Sequence, residues 1–194
     1  MDGIDATLCS RNAHKARELE RLLPGWTIRP LEAADWPDEV GETYYENALA
    51  KARFGHEAGD GDGWLLGEDP GLEVAALGGR PGLHSALYAP EGAPAIARLL
   101  AELVGVEERD ARYVCELVCL TSDDEELRGT GTLEGRIAHE ARGAGGFGYD
   151  PVFVPAGERL TVAELGDEWK SAHSHRARAA RALREAVERL GHDR

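Results

Sequence analysis

The sequence predicts an α/β fold on a mixed sheet, in a single domain spanning residues 1–194. Short apolar runs of strand character alternate with stretches whose apolar residues recur every three or four positions. Strands and helices interleaved in this way pack as layers around a sheet. The chain has 194 residues, 42% of them hydrophobic, enough for one compact core or two small lobes, and it carries no repeat, low-complexity tract or long linker.

The elements follow in order. Residues 6–9 read as the first strand, which breaks at Ser10-Arg11-Asn12. Asn12 is a favoured N-cap, and the helix it opens runs to about residue 23, with Ala16, Leu19 and Leu23 as its apolar stripe; Pro24-Gly25 stops it. Residues 26–31 make a second strand. Thr43-Tyr44-Tyr45-Glu46 has the spacing of a capping box and predicts a helix over 43–58. Residues 64–66 read as a short apolar strand and 72–77 as its return, with 67–71 as a tight connection. Residues 78–82, Gly-Gly-Arg-Pro-Gly, are a loop by composition. Pro94 suits the first turn of a helix carrying Ile96, Leu99, Leu100 and Leu103. Residues 112–121, rich in Val, Leu, Tyr and Cys, are the candidate central strand, and 127–138 its partner across an acidic turn. A glycine-rich loop covers 143–148. Ser174 caps a last helix with the stripe Ala180, Leu183, Val187 and Leu190, ended by Gly191.

Composition narrows the class of function. No apolar run approaches the ~18 residues that span a bilayer, and residues 1–7 lack the basic and apolar regions of a signal peptide, so the expected compartment is the cytoplasm. Cys9, Cys115 and Cys119 are odd in number and form no CxxC pair, which predicts buried, reduced thiols without zinc. A formal net charge of −14 repels nucleic acid and anionic membranes. The clearest gathering of basic residues without acids is over 170–184, where Lys170, Arg176, Arg178, Arg181 and Arg184 stand with His173 and His175. Arg176 lies near the buried stripe of its helix, with no obvious acidic partner nearby.

Four stretches can carry chemistry. Ser10-Arg11-Asn12-Ala13-His14-Lys15 leaves a strand and opens a helix, which presents free N–H groups and a cation to phosphate. An ordinary capped helix with solvated basic residues accounts for it as well. Asp38, Glu39 and Glu42 precede the capped helix, and Glu68-Asp69 follow an apolar strand. Converging carboxylates of this kind hold Mg²⁺, although a solvated acidic turn reads the same. In Gly145-Gly146-Phe147-Gly148-Tyr149-Asp150-Pro151, either aromatic can stack on a base and Asp150 can accept from a nucleoside; alternatively the aromatics plug the core. In Lys170-Ser171-Ala172-His173-Ser174-His175-Arg176, the last two residues fall in the first turn of a helix, where anions and carbonyl oxygens are favoured partners; a solvated helix entry is the alternative.

Taken together these blocks resemble the Ham1/inosine triphosphatase family in order and spacing. The blocks are 10–15, Gly41-Glu42-Thr43-Tyr44-Tyr45-Glu46-Asn47-Ala48, 68–72, 77–82, Gly146-Phe147-Gly148-Tyr149-Asp150-Pro151, and Lys170 with Ser174-His175-Arg176. The resemblance covers nearly the whole chain. It implies an elongated fold with two lobes around a central nucleotide cleft, usually a homodimer, that uses Mg²⁺ to hydrolyse non-canonical purine triphosphates (inosine or xanthosine, ribo or deoxy) to monophosphate and pyrophosphate. It makes Asp69 the catalytic carboxylate and a metal ligand, with Glu39 the second ligand. Ser10, Asn12 and Lys15 hold the triphosphate, with Arg11 adding a cation. Phe147, Gly148, Tyr149 and Asp150 line the nucleoside site, Lys170 contacts substrate, and His175 with Arg176 reads the base. The chain departs from the family pattern where Arg11 replaces Gly, Glu68 replaces Asp, Pro70 replaces a Ser beside the nucleotide and Leu87 replaces Arg, and in the segment after Tyr88. A nucleotide binder without efficient turnover, or a pyrophosphatase of shifted base specificity, is the alternative those departures raise.

Overall fold

A computed structural model describes residues 3–10, 12–33, 35–58 and 63–192. Six strands form one sheet: β1 (Ile4–Leu8), β2 (Trp26–Pro30), β3 (Trp64–Val74), β4 (Asp110–Leu120), β5 (Glu126–Ile137) and β6 (Phe153–Pro155). Their order is β2-β1-β3-β4-β5-β6. β1 pairs parallel with β2 and β3, whereas β5 and β6 pair antiparallel, so the sheet is mixed. The helices are α1 (Ala13–Leu22), α2 (Tyr44–Glu57), α3 (Ser85–Tyr88), α4 (Ala93–Glu102), α5 (Val162–His173) and α6 (His175–His192). No described helix is long and apolar enough to cross a membrane.

The chain divides into two compact units, and β3, β4 and β5 each contribute residues to both. The first unit comprises Met1–Pro70, Cys115–Gly131 and Arg176–Arg194. Its core forms two clusters, because successive side chains of a strand point to opposite faces. Leu66 of β3 and Cys115, Leu117 and Cys119 of β4 pack with Ala16 and Leu19 of α1 and with Ala180, Leu183 and Val187 of α6. Their neighbours Leu65, Val118 and Leu120 pack instead with Ala48, Leu49 and Ala52 of α2. All three cysteines are buried free thiols. The second unit comprises Gly71–Val114 and Thr132–His175. Leu99 and Leu103 pack with Tyr113, Phe153, Val152 and Tyr149 in its core. There Arg109 is buried, and its guanidinium donates to the carbonyls of Leu103, Ile137 and Ala138 at 2.8–2.9 Å.

Most boundaries fall where the sequence places them. Asn12 caps α1 by accepting from the His14 N–H, and Thr43 and Glu46 form the expected capping box of α2. The largest correction is at β3. Residues 64–66 and 72–77 are not two strands joined by a turn; one 11-residue strand runs through Gly67-Glu68-Asp69-Pro70-Gly71. Gly67 is there for contact rather than for bending. A Cβ on it would lie 1.9 Å from the Ala48 carbonyl oxygen and 2.8 Å from the Ala52 nitrogen, so only glycine lets α2 lie this close to the strand. α5 is a helix that the periodicity does not reveal. It begins with a second capping box, Thr161 with Glu164, and Gly166, at φ 82°, interrupts its helical pattern. Ser174, with an extended backbone, separates α5 from α6.

Candidate active site

Continuity of β3 decides where its carboxylates go. Glu68 and Asp69 are adjacent in a strand, so they project to opposite faces and do not converge on one point.

Glu68 follows Leu66 to the face covered by α1 and α6. Arg176 Nε donates to its Oε1 at 2.5 Å, and Lys15 Nζ lies 3.1 Å from its Oε2. The same guanidinium donates through Nη1 to Glu18 Oε2 at 2.8 Å. Glu68, Glu18 and Arg176 are all buried, Arg176 to 1% exposure. Burial pushes the Glu68 carboxyl up, but the Arg176 guanidinium and the Lys15 ammonium together hold it well below the usual carboxylate range. The Cys115 thiol, 3.4 Å from Glu68 Oε1, is pushed up by burial and by that anion. Arg176 therefore has two acidic partners, 108 and 158 residues away along the chain, where sequence proximity offers none.

Asp69 follows Leu65 and Gly67 to the α2 face. Lys51 Nζ donates to its Oδ1 at 2.6 Å, and Asn47 Nδ2 donates to its Oδ2 at 3.2 Å. Asn47 and Lys51 are four residues apart on one side of a capped helix, the spacing that aligns side chains. Burial raises the Asp69 carboxyl above its ordinary value despite the opposing Lys51 ammonium. Lys51 also pairs with Glu39 Oε1 at 2.9 Å and donates to the Glu68 carbonyl at 3.2 Å. Asn47 Oδ1 in turn accepts from the Gly41 N–H at 2.8 Å, fixing the end of the segment that carries Glu39. Glu39, not Glu68, is thus the carboxylate that shares a cation with Asp69, while no such contact is seen for the exposed Asp38 and Glu42.

In the first loop, Ser10 Oγ accepts from the Asn12 N–H at 3.2 Å, and Asn12 Oδ1 is engaged in capping. Arg11 lies outside the described residues.

The remaining expected site residues gather in the second unit. Asp150 is buried, and its Oδ2 accepts from Lys170 Nζ at 2.8 Å and from the Phe147 N–H at 2.9 Å. A Cβ at Gly146 would come within 2.2 Å of that oxygen, and its φ of 72° is one that side chains rarely adopt. The Lys170 ammonium also stands 3.9 Å from the centroid of the half-buried Phe147 ring. His175 stacks on Tyr113, with centroids 4.5 Å apart and planes 12° apart, and Tyr113 Oη lies 3.5 Å from Asp150 Oδ1. The two loop aromatics part company: Tyr149 is buried in the core, where burial pushes its hydroxyl up to about 12. Gly148, between them, has a φ of 61°.

Lys51 and Asn47, the direct partners of Asp69, carry no expected role in the sequence reading. Their signal was the i, i+4 pair on a helix whose start was already recognisable, but nothing local ties that pair to a carboxylate 18 or 22 residues on. Tyr113 and Glu18 escaped for the same reason. Pro70 is where it was expected relative to Asp69, but in a strand.

The chain compares closely with known proteins. Residues 6–186 match the model of the Ham1 family. A relative from Methylococcus capsulatus, named dITP/XTP pyrophosphatase, is 46% identical over 187 residues, covering 91% of this chain and 92% of its own. One of the same name from Thermus thermophilus is 42% identical over 193 residues, covering 95% and 92%. A Ham1 protein structure from Coxiella burnetii matches with a TM-score of 0.83 at 32% identity, over 96% of this chain and 99% of that one. With a family match over most of its length, relatives above 40% identity and this fold, the chain belongs to the Ham1 family.

Proposed function

We propose that the protein hydrolyses non-canonical purine nucleoside triphosphates, those of inosine and xanthosine, to the monophosphate and pyrophosphate. Relatives named dITP/XTP pyrophosphatase, aligned over nine-tenths of the chain, support the reaction. The observation that carries the reading to these residues is the meeting of Asp69 and Glu39 at one cation, the Lys51 ammonium.

That pair fits the metal the family implies. Mg²⁺ takes hard oxygen ligands, often one or two carboxylates with water and substrate phosphate completing the shell. Asp69 and Glu39 offer such a pair, and no group of three or more His, Cys, Asp or Glu suited to a metal occurs among the described residues. Mg²⁺ held there would neutralise charge on the phosphate oxygens. Asp69, raised by burial and anchored through both oxygens, orients the attacking water and takes up its proton. The water oxygen bonds to the α-phosphorus as the bond to the α,β-bridging oxygen breaks, and pyrophosphate leaves with that electron pair. Ser10, Asn12 and Lys15, with Arg11, take the triphosphate, and Lys15 and Lys170 offset leaving-group charge.

For the nucleoside, Phe147 offers the exposed part of its ring for stacking, with Gly148 allowing close approach and Asp150 accepting from ring or ribose donors. Tyr149 backs this loop from the core. His175 and Arg176, adjacent at the start of α6, donate toward a 6-carbonyl, and Glu68 and Glu18 hold the Arg176 guanidinium. Those carboxylates fix its plane, as a selective donor requires. A 6-amino group would meet these donors with donors, a mismatch that discriminates by up to ~10⁴. We place the protein in the cytoplasm with the nucleotide pool, as a homodimer, the assembly usual in the family. Initial rates on a panel of inosine, xanthosine, adenosine and guanosine triphosphates with Mg²⁺ test the reading. Inosine and xanthosine triphosphates should lead by at least tenfold, and equal rates on ATP contradict it.

A further inference from the structure

Lys51 carries more than a structural ion pair. Its ammonium is ringed by three oxygens: Asp69 Oδ1 at 2.6 Å, Glu39 Oε1 at 2.9 Å and the Glu68 carbonyl at 3.2 Å. The lysine and Asp69 side chains are 14% and 5% exposed, whereas Glu39, 40% exposed, leaves one side of the cluster open to solvent. Two carboxylates so placed repel each other unless a cation lies between them. Lys51 supplies that cation from a rigid helix, and it stands where a metal shared by the same two carboxylates would have to go.

We propose that Lys51 is a positioning residue that acts as a placeholder, holding Asp69 and Glu39 in register and excluding free divalent metal until nucleotide arrives. This rests on the reading of those two carboxylates as the metal ligands. A bare divalent cation must either displace the ammonium, leaving a buried positive charge without its partners, or accept a like charge in contact. A metal arriving on a triphosphate brings its own anionic oxygens. The ammonium can turn to those as it gives up the carboxylates, so the exchange leaves no buried charge unpaired. Metal and substrate therefore enter together, and the site stays closed to free metal.

The inference predicts effects of opposite sign from one substitution. In Lys51→Met, Mn²⁺ without nucleotide, followed by electron paramagnetic resonance, should bind at least tenfold more tightly than in the wild type. Adding Asp69→Asn to that variant should abolish the gain, and Lys51→Met should raise KM for inosine triphosphate. A merely structural lysine gives no reason for tighter metal binding. Mn²⁺ affinity in folded Lys51→Met equal to or weaker than wild type overturns the proposal. If circular dichroism shows that Lys51→Met does not fold, Lys51→Gln, which keeps a donor, takes its place under the same criterion. Pyrophosphate release by the wild type is measured separately. Its absence would sink the proposed reaction, whereas unchanged metal affinity beside normal release would sink only the placeholder role.

Discussion

Arg176→Ala separates two roles that the sequence runs together. A guanidinium that only reads the base would cost substrate affinity when removed and leave the fold untouched. The structure buries this one to 1% exposure between Glu68 and Glu18. Removing one partner of a buried pair costs about 3–5 kcal/mol, because the remaining charge stays buried and uncompensated. With ordinary domains stable by ~5–15 kcal/mol, that is a third or more of the total. At a urea m-value of ~2 kcal/mol/M the midpoint should fall by roughly 2 M. Trp26 and Trp64, whose rings meet edge to face at 5.5 Å in the same unit, give a fluorescence signal beside far-UV circular dichroism. The pH dependence adds a second sign. In the wild type the folded Glu68 value lies below its ordinary 4.5, so its contribution is complete above that value and is lost only as pH falls through the lower one. Without Arg176 only Lys15 opposes the burial of Glu68, so the folded value moves up from its wild-type position. The variant therefore loses less of its stability on acidification than the wild type does. The penalty should shrink as pH falls from neutral through the ordinary 4.5. A loss under about 1 kcal/mol at pH 7.5, or a penalty that grows on acidification, would refute the reasoning.

Two further outcomes are expected. Gly67→Ala should destabilise by about 1–3 kcal/mol or more, since backbone rather than a flexible side chain stands 1.9 Å from the added carbon; pushing α2 off β3 moves Asn47 and Lys51 from Asp69, so activity should fall by ~10² as well, and wild-type melting with full activity would show that the helix has room. Asp69→Asn should abolish pyrophosphate release in a variant that still folds, because Glu39 remains to pair the Lys51 ammonium, although it should melt lower than wild type; activity within about tenfold of wild type removes Asp69 from the catalytic role.

What the sequence made legible was local. Asn12, the Thr43–Glu46 box and the stripes of α1 and α4 are signals written within a few residues, and each was found where expected; the stripe of α6 holds through Val187, but the helix runs past Gly191 to His192. The Gly-Glu-Asp-Pro-Gly stretch misled because glycine and proline are read as turn formers. Here Gly67 answers a helix 15–19 residues back in the chain, at Ala52 and Ala48, which composition cannot reveal. That one difference reassigns Glu68 from a shared metal cluster to the opposite face of the sheet. The motifs marked 39, 69, 150, 170 and 176 as charged positions of interest, but not their pairing. Arg176 with Glu18, Lys51 with Glu39 and Asp69, and Lys170 with Asp150 are contacts across the fold, set by strand alternation and helix placement. Thr161-Val162-Ala163-Glu164 was a readable helix start, obscured because Gly166 breaks the periodicity just after it.

The central claim is hydrolysis at the α,β-phosphoanhydride of a non-canonical purine nucleotide. It is tested most directly by following inosine triphosphate with Mg²⁺ and the purified protein by phosphorus-31 nuclear magnetic resonance, with Asp69→Asn alongside. The expected result is stoichiometric inosine monophosphate and pyrophosphate from the first time point, and no turnover in the variant. Orthophosphate with inosine diphosphate as the first products, or no turnover by the wild type, would contradict it.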